Sequence, residues 1–392
     1  MKFVKSVNQS TMIGLVSAVI VGVVLGASVL FEWWTWAGVP TMKPRFADLR
    51  MITSTAECIA RGGWSIYSET CDPFGREYNY PPIWAQAFAA LGLGEQSTFK
   101  VGMALGLMLV LLFVSLTILV SRGANKAHLL AVVMCSTSPP TALLLERGNT
   151  DIVILLIIVL AAAAFGRLRM VSALLSGLAV GLKVFPGLVA LVFFRTKTAL
   201  RDLGLLSIIA VLLLEPYLAV LRIASREPPY TRDYSFGASS SLAILFPDIL
   251  DTGRSIYLIP LNVLVTCGLA LALMSWRKKS FLEASRELNG SPTTRALFQF
   301  ASLTFVGVYL SGTKHDYSLA FLVVVSAAVG LTNSRAPLLL ALQALNCVSM
   351  WTAFGWNGRS VISDLAVSMS VFIQLGLVFT PGLRFSEQTS RS

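Results

Sequence analysis

Charge is what this chain has least of. Only 13% of its 392 residues are Asp, Glu, Lys or Arg, while 55% are hydrophobic; a soluble domain carries about 25% charged residues. A soluble globular fold is therefore excluded. Histidine is almost missing: His128 and His315 are the whole supply, and no Cys-x-x-Cys pair accompanies them. That removes the usual zinc ligand sets, although Asp oxygens can still hold a hard cation. No metal and no cofactor are expected. A phosphate-cradling glycine loop is lacking as well, since Gly92-Leu-Gly94 stands without its context. No internal repeat, low-complexity tract or soluble domain is visible. The net charge is +11, yet no basic cluster interleaves with exposed aromatics, so nucleic acid is not an expected partner.

What is abundant is the long apolar run. Thr11–Phe31, Phe99–Val120, Ala199–Leu221 and Ile256–Trp276 each approach the roughly 20 residues that an α-helix needs to cross a bilayer. In lipid such helices are stable because each satisfies its own backbone hydrogen bonds. The first run is long for a signal peptide, and no small-residue cleavage site precedes Phe31-Glu-Trp-Trp-Thr-Trp; it reads as a retained span with Trp33, Trp34 and Trp36 at the far interface. The expectation is an all-α polytopic membrane protein of about 10–12 spans, including short broken helices. It forms a single transmembrane domain over residues 1–392.

Basic clusters orient the spans. Lys2/Lys5, Arg122/Lys126, Arg167/Arg169, Arg195/Lys197/Arg201, Arg277/Lys278/Lys279 with Arg286 and Arg295, Arg335, and Arg384/Arg391 all fall in the cytoplasm under the positive-inside rule. Both termini are then cytoplasmic. Pro82–Gly94 must be a short or re-entrant helix. Val171–Phe194 must enter and return, broken at Lys183-Val184-Phe185-Pro186, where proline removes a donor and clashes with the preceding turn. The acidic residues, which played no part in setting the orientation, land almost entirely outside. In the first external loop, 32–81, the residues Leu49, Ile52, Ala56, Ile59 and Ala60 share a helical stripe, which predicts an amphipathic surface helix ended by Gly62-Gly63.

The unusual polar residues collect on that external side: Asp48, Tyr78-Asn79-Tyr80-Pro81-Pro82, Glu146-Arg147-Gly148-Asn149-Thr150-Asp151, Lys183, and Lys314-His315-Asp316. Ionisable groups at a membrane boundary are costly and mark function. Each has an ordinary alternative. Asp48 and Asp151 are good helix caps, Glu146/Arg147 an interfacial ion pair, Lys183 a snorkelling lysine and His315 a loop histidine. Cys58 and Cys71 share the external loop, where oxidising conditions permit a bridge that spacing alone does not decide. Cys135, Cys267 and Cys347 lie in spans as small apolar residues.

At these positions the chain resembles the bacterial membrane glycosyltransferases of family 87, which include polyprenol-phosphate-mannose-dependent mannosyltransferases and related arabinofuranosyltransferases of the GT-C fold. The match runs from Asp48-Leu-Arg through Gly62-Gly63-Trp64-Ser-Ile-Tyr67 to Tyr80-Pro81-Pro82. Gly148-Asn149 before an apolar helix is similar to the family's Gly-Gln-x-Asn. Gly177-Leu-Ala-Val-Gly-Leu-Lys183-Val-Phe-Pro186 is the most specific match, and Ser311-Gly-Thr-Lys-His315-Asp-Tyr317 follows late in the chain. Two features depart from the pattern: Arg147-Gly148-Asn149 lacks the glutamine, and the late segment lacks a proline and has a single histidine.

The resemblance implies an inverting transferase. It would take a sugar, most often mannose, from a polyprenyl-phosphate donor to a lipid or cell-envelope glycan acceptor at the external (periplasmic) face. Asp48 would be the general base. Lys183, His315, Arg147 and Lys314 would hold the donor phosphate. Tyr80, Trp64, Asn149 and Asp151 would contact substrate. Membrane lipids would surround the whole. The alternatives are a transporter or flippase of lipid-linked sugars, or a non-catalytic subunit of an envelope assembly; transporters usually place charge at the bilayer midplane between repeated halves.

Overall fold

The computed structural model describes residues 2–31, 33–62, 71–76, 78–123, 125–194, 196–214, 235–236, 259–311, 314–355, 358–359 and 361–380. They form a helical bundle in the order α1 (Lys2–Leu30), α2 (Ala47–Ala60), α3 (Pro82–Ala90), α4 (Thr98–Ser121), α5 (Lys126–Ser136), α6 (Pro139–Arg147), α7 (Asp151–Ala164), α8 (Arg169–Leu182), α9 (Ala190–Phe193), α10 (Ala199–Leu214), α11 (Ile259–Trp276), α12 (Lys278–Leu288), α13 (Pro292–Leu310), α14 (Phe321–Gly330), α15 (Pro337–Trp351) and α16 (Val361–Phe379). Two-residue antiparallel pairings, Ser235–Phe236 with Lys314–His315 and Phe354–Gly355 with Gly358–Arg359, are the extended structure among the described residues.

Among those residues, Thr11–Leu30, Glu95–Ser121, Lys126–Arg147 and Val361–Phe379 are long and apolar enough to cross a membrane, and five shorter apolar helices stand with them. The outer helices expose Leu15, Val19 and Val23 on α1, Leu107 and Leu111 on α4, and Ile208 and Leu212 on α10. In water this much aliphatic surface would be a liability; in lipid tails it is satisfied. The centre is the reverse. Every residue of α14, and α13 from Thr294 to Leu310, is buried.

The breaks follow the local sequence. Pro82, Pro139, Pro292 and Pro337 sit in the first turn of α3, α6, α13 and α15, where a missing N–H costs nothing. The short helix expected after Tyr80 is α3, whose nine residues span about 13 Å. The broken hairpin forms too. α8 ends at Leu182, Lys183 is extended (φ −157, ψ 133), and a 3₁₀ turn over Phe185–Val189 leads into α9. That turn is seated by Gly307 of α13, because a Cβ there would fall onto the carbonyl oxygen of Phe185.

Of the expected stripe, Leu49, Ile52 and Ala56 are buried, Ile59 is half-buried and Ala60 at the helix end is exposed, while the other side of α2 is covered as well: Met51, Thr53, Ser54 and Thr55 are buried too. Tyr78, Tyr80 and Ala85 pack against Met51, and residues 94–98 cover the polar side. Arg50 pairs with Glu95 at 2.7 Å, the Glu95 N–H donates to Glu57 at 2.9 Å, and Thr53 meets Thr98 at 2.6 Å. α2 is thus a wall of the protein rather than a helix with one face free. A second point concerns Lys278–Leu288, which in sequence stands among the basic clusters with no structure assigned to it. It is helix α12, which buries Phe281, Ala284, Ser285 and Leu288 at helical spacing and exposes its charges.

Candidate active site

α7 fixes the geometry by its two ends. Its N-terminus, the end of α6, the end of α8 and the turn before α14 meet at one end of the bundle. Arg167 and Arg169 follow its other end. The loops bearing Arg122/Lys126 and Arg335 lie with each other at the far end of their helices, where His128 Nε2 meets Ser334 O at 2.6 Å.

Asp48 enters the site on the first turn of α2, just after Phe46 in the left-handed region (φ 61). Such a backbone is rare for a bulky residue and persists only when its surroundings enforce it. Here the Phe46 N–H donates to Glu146 O at 3.0 Å, and the Phe46 ring lies against Gly102 and Gly148. The α6–α7 junction therefore sits about one turn inside the start of α4. Gly148 itself ends α6 at φ 59, which only glycine adopts freely.

Asn149 is the hub. Its Nδ2 donates to Asp48 Oδ2 at 2.6 Å and to the Tyr80 hydroxyl at 2.9 Å. Its Oδ1 accepts from Lys183 Nζ and from the Asp151 N–H, both at 3.0 Å. Both donors and both lone pairs are used, and the reversed amide would face two donors with its own N–H groups, so the network fixes its orientation. Lys183 is ion-paired to Asp151, whose second oxygen accepts from Ser318 Oγ at 2.7 Å. The ammonium also lies 5.4 Å from the Tyr80 ring and 5.8 Å from that of Phe185, within cation–π range. Burial, then the nearby Asp48 charge, raises the Tyr80 pKa well above the usual phenol value, so Tyr80 is a neutral hydroxyl at working pH.

Five of the expected site residues, Asp48, Tyr80, Asn149, Asp151 and Lys183, are thus one hydrogen-bonded chain. Neither aspartate caps its helix; Asp48 and Asp151 spend their oxygens on side chains from other elements. Arg147 borders the chain through Glu146, paired at 3.1 Å, whose other oxygen accepts from the Met42 N–H at 2.8 Å. Lys314 and His315 contribute described backbone only, paired with Phe236 and Ser235. Trp64 lies outside the described residues. Among those described, no three His, Cys, Asp or Glu side chains gather as metal ligands.

The sequence reading missed Arg76, which pairs with Asp48 at 3.3 Å and with Asp72 at 2.9 Å. The available signal was its place as the basic residue just before Tyr78-Asn79-Tyr80-Pro81-Pro82. Ser318 gave no such signal. The Cys58–Cys71 bond left open by spacing is present, with Cα atoms 6.1 Å apart.

A lipid-facing bundle with a compensated, half-open polar network at one end is a membrane-embedded protein built around a site for polar chemistry. The sequence model of Glycosyltransferase family 87 matches residues 78–291, more than half of the chain and the stretch that carries Tyr80, Arg147, Asn149, Asp151 and Lys183. The chain belongs to glycosyltransferase family 87 and is a membrane glycosyltransferase. Searches of curated proteins and of solved structures found no match.

Proposed function

We propose that this protein moves a sugar, mannose, from a polyprenyl-phosphate donor to a lipid or cell-envelope glycan acceptor, with inversion, at the external membrane face, on the architecture of the GT-C enzymes. The observation that carries the reading is the state of Asp48. Its carboxylate is oriented by Asn149 yet 13% exposed, so a substrate hydroxyl can reach it, whereas Asp151 is 1% exposed and committed to Lys183.

The acceptor oxygen attacks the anomeric carbon and forms the new glycosidic bond. The bond from that carbon to the phosphate oxygen breaks, and its electron pair leaves with the polyprenyl phosphate. Asp48 takes the acceptor's proton. The departing phosphate needs positive charge. Arg147 and Lys183, each 15% exposed, supply it, with Lys314 and His315 as further candidates. Both are partly answered within the protein, Arg147 by Glu146 and Lys183 by Asp151 and Asn149, so the phosphate draws on the pair together. Tyr80 borders the sugar position, and Trp64 is assigned a stacking role there. Asn149 and Asp151 shape the pocket by fixing Asp48 and Lys183. No cofactor enters the scheme, and transfer is expected to persist in chelator.

Two observations support the external side. The site lies at the end of α7 opposite Arg167 and Arg169, and the disulfide at the far end of α2, the helix that carries Asp48, suits an oxidising compartment. The test is transfer by purified protein in lipid, offered a panel of polyprenyl-phosphate sugars with membrane-extract acceptors. Transfer from the mannosyl donor supports the reading. Donor binding without transfer from any of them would favour a transporter.

A further inference from the structure

We propose that Arg76 is a positioning residue for Asp48, held in place by the Cys58–Cys71 disulfide, so that bridge and guanidinium act as one device that orients the base. This rests on the reading of Asp48 as the base.

The device can be followed around a closed path. Asp48 lies in the first turn of α2 and Cys58 in its last, about 15 Å further along the helix axis. The disulfide joins Cys58 to Cys71, and the chain at once makes a tight turn, with the Gly75 N–H donating to Asp72 O at 2.9 Å and Gly75 at φ 67. Asp72 is buried and accepts from the Arg76 backbone N–H at 3.0 Å, from Nε at 2.9 Å and from Nη2 at 3.2 Å. Nη2 also donates to Ala47 O at 2.6 Å, and the guanidinium stacks 5.0 Å from the Phe74 ring.

With Nε and Nη2 committed, Nη1 is left for Asp48 Oδ1, at 3.3 Å. The path thus runs from α2 through the bridge, along the turn and back to the start of α2. Burial alone would lower the Arg76 pKa, but the Asp72 hydrogen bond and the Asp48 and Asp72 charges outweigh it and raise it. The side chain stays cationic.

The consequence for Asp48 is a carboxylate gripped from two sides by unequal partners. Asn149 holds Oδ2 at 2.6 Å, whereas Arg76 steadies Oδ1 at a longer 3.3 Å. Oδ1 is the oxygen that an incoming hydroxyl can win. Arg76 stops the group from rotating about Asn149 and leaves that oxygen available. The bridge matters because it restricts where the Asp72–Arg76 turn can go.

The experiment uses the full chain in lipid nanodiscs and reads kcat, KM and donor binding together. Arg76→Gln is expected to lower kcat by about 100-fold with KM and donor Kd within about two-fold of wild type, and Arg76→Lys to recover part of the loss. Cys58→Ser/Cys71→Ser is expected to lower kcat by about tenfold, and to add nothing in the Arg76→Gln background, as groups acting as a unit do.

An Arg76→Gln kcat equal to wild type, or losses that multiply when combined, would overturn the proposal. Where a variant loses donor binding through misfolding, reduction of the bridge in folded wild type replaces it. A fall in kcat at constant donor Kd supports the device, and unchanged kcat overturns it. Asp48→Asn is run alongside. Full turnover in that variant removes the reading of Asp48 as base; an inactive Asp48→Asn beside an unaffected Arg76→Gln removes the positioning role alone.

Discussion

The two ends of α7 carry charge in opposite ways. At the N-terminus, Asp151 is buried and answered atom by atom, by Lys183 on one oxygen and Ser318 on the other. At the C-terminus, Arg167 is exposed and projects from a loop. A charge removed from water must be matched by partners in fixed geometry, and that fixity is what a reaction needs. A charge left at the surface stays solvated and needs no such partner. One helix therefore separates a buried, compensated charge from an exposed one.

Mutations that break this contrast rank by how much of the fixed geometry they remove. Asn149→Leu takes both orienting bonds from Asp48 and Tyr80 and one from Lys183; turnover should fall by about 100-fold, read as kcat at saturating donor. Asp151→Asn leaves Lys183 without its carboxylate and should destabilise the fold by about 3–5 kcal/mol, seen as a lowered unfolding midpoint in detergent. The double change Asp151→Asn/Lys183→Met should recover part of that loss, since it no longer strands a charge.

Gly307→Ala puts a methyl against the Phe185 backbone and should cost about 1–3 kcal/mol. It should also lower turnover by displacing Lys183, and both effects can be read on the same sample. At the other end, Arg167→Gln should change the unfolding free energy by less than about 0.5 kcal/mol and leave turnover as it is. A large loss there would erase the contrast.

Much of this was legible in the residues. The apolar runs announced α1 and α4, and Lys183-Val184-Phe185-Pro186 announced the break after α8, because proline and a buried cation both oppose a continuous helix. The polar strings around Asn149 and Tyr80 pointed to the residues that meet in the network, because little else in so apolar a chain competes with them. What could not be read was long-range pairing. That Glu95 covers the polar side of α2, or that Arg76 reaches back to Asp48, depends on where chain segments return, and local periodicity carries no such information. α12 is a different case. Its spacing of Phe281, Ala284, Ser285 and Leu288 was readable as a helix, but the surrounding charges were read only for the orientation of the spans. The disulfide was readable only as a possibility, since a bond needs proximity as well as two cysteines.

The central claim is that the network around Asp48 is the catalytic centre of a glycosyltransferase. Its most direct test is the turnover of Asp48→Asn beside wild type, with donor binding measured on the same preparations. The substitution keeps the size of the side chain and an oxygen for Asn149, while the amide nitrogen in place of Oδ1 removes the basic carboxylate and its contact with Arg76. A fall in kcat of about 10²–10⁴-fold with donor binding intact is the predicted result. Wild-type turnover in the variant would contradict the account.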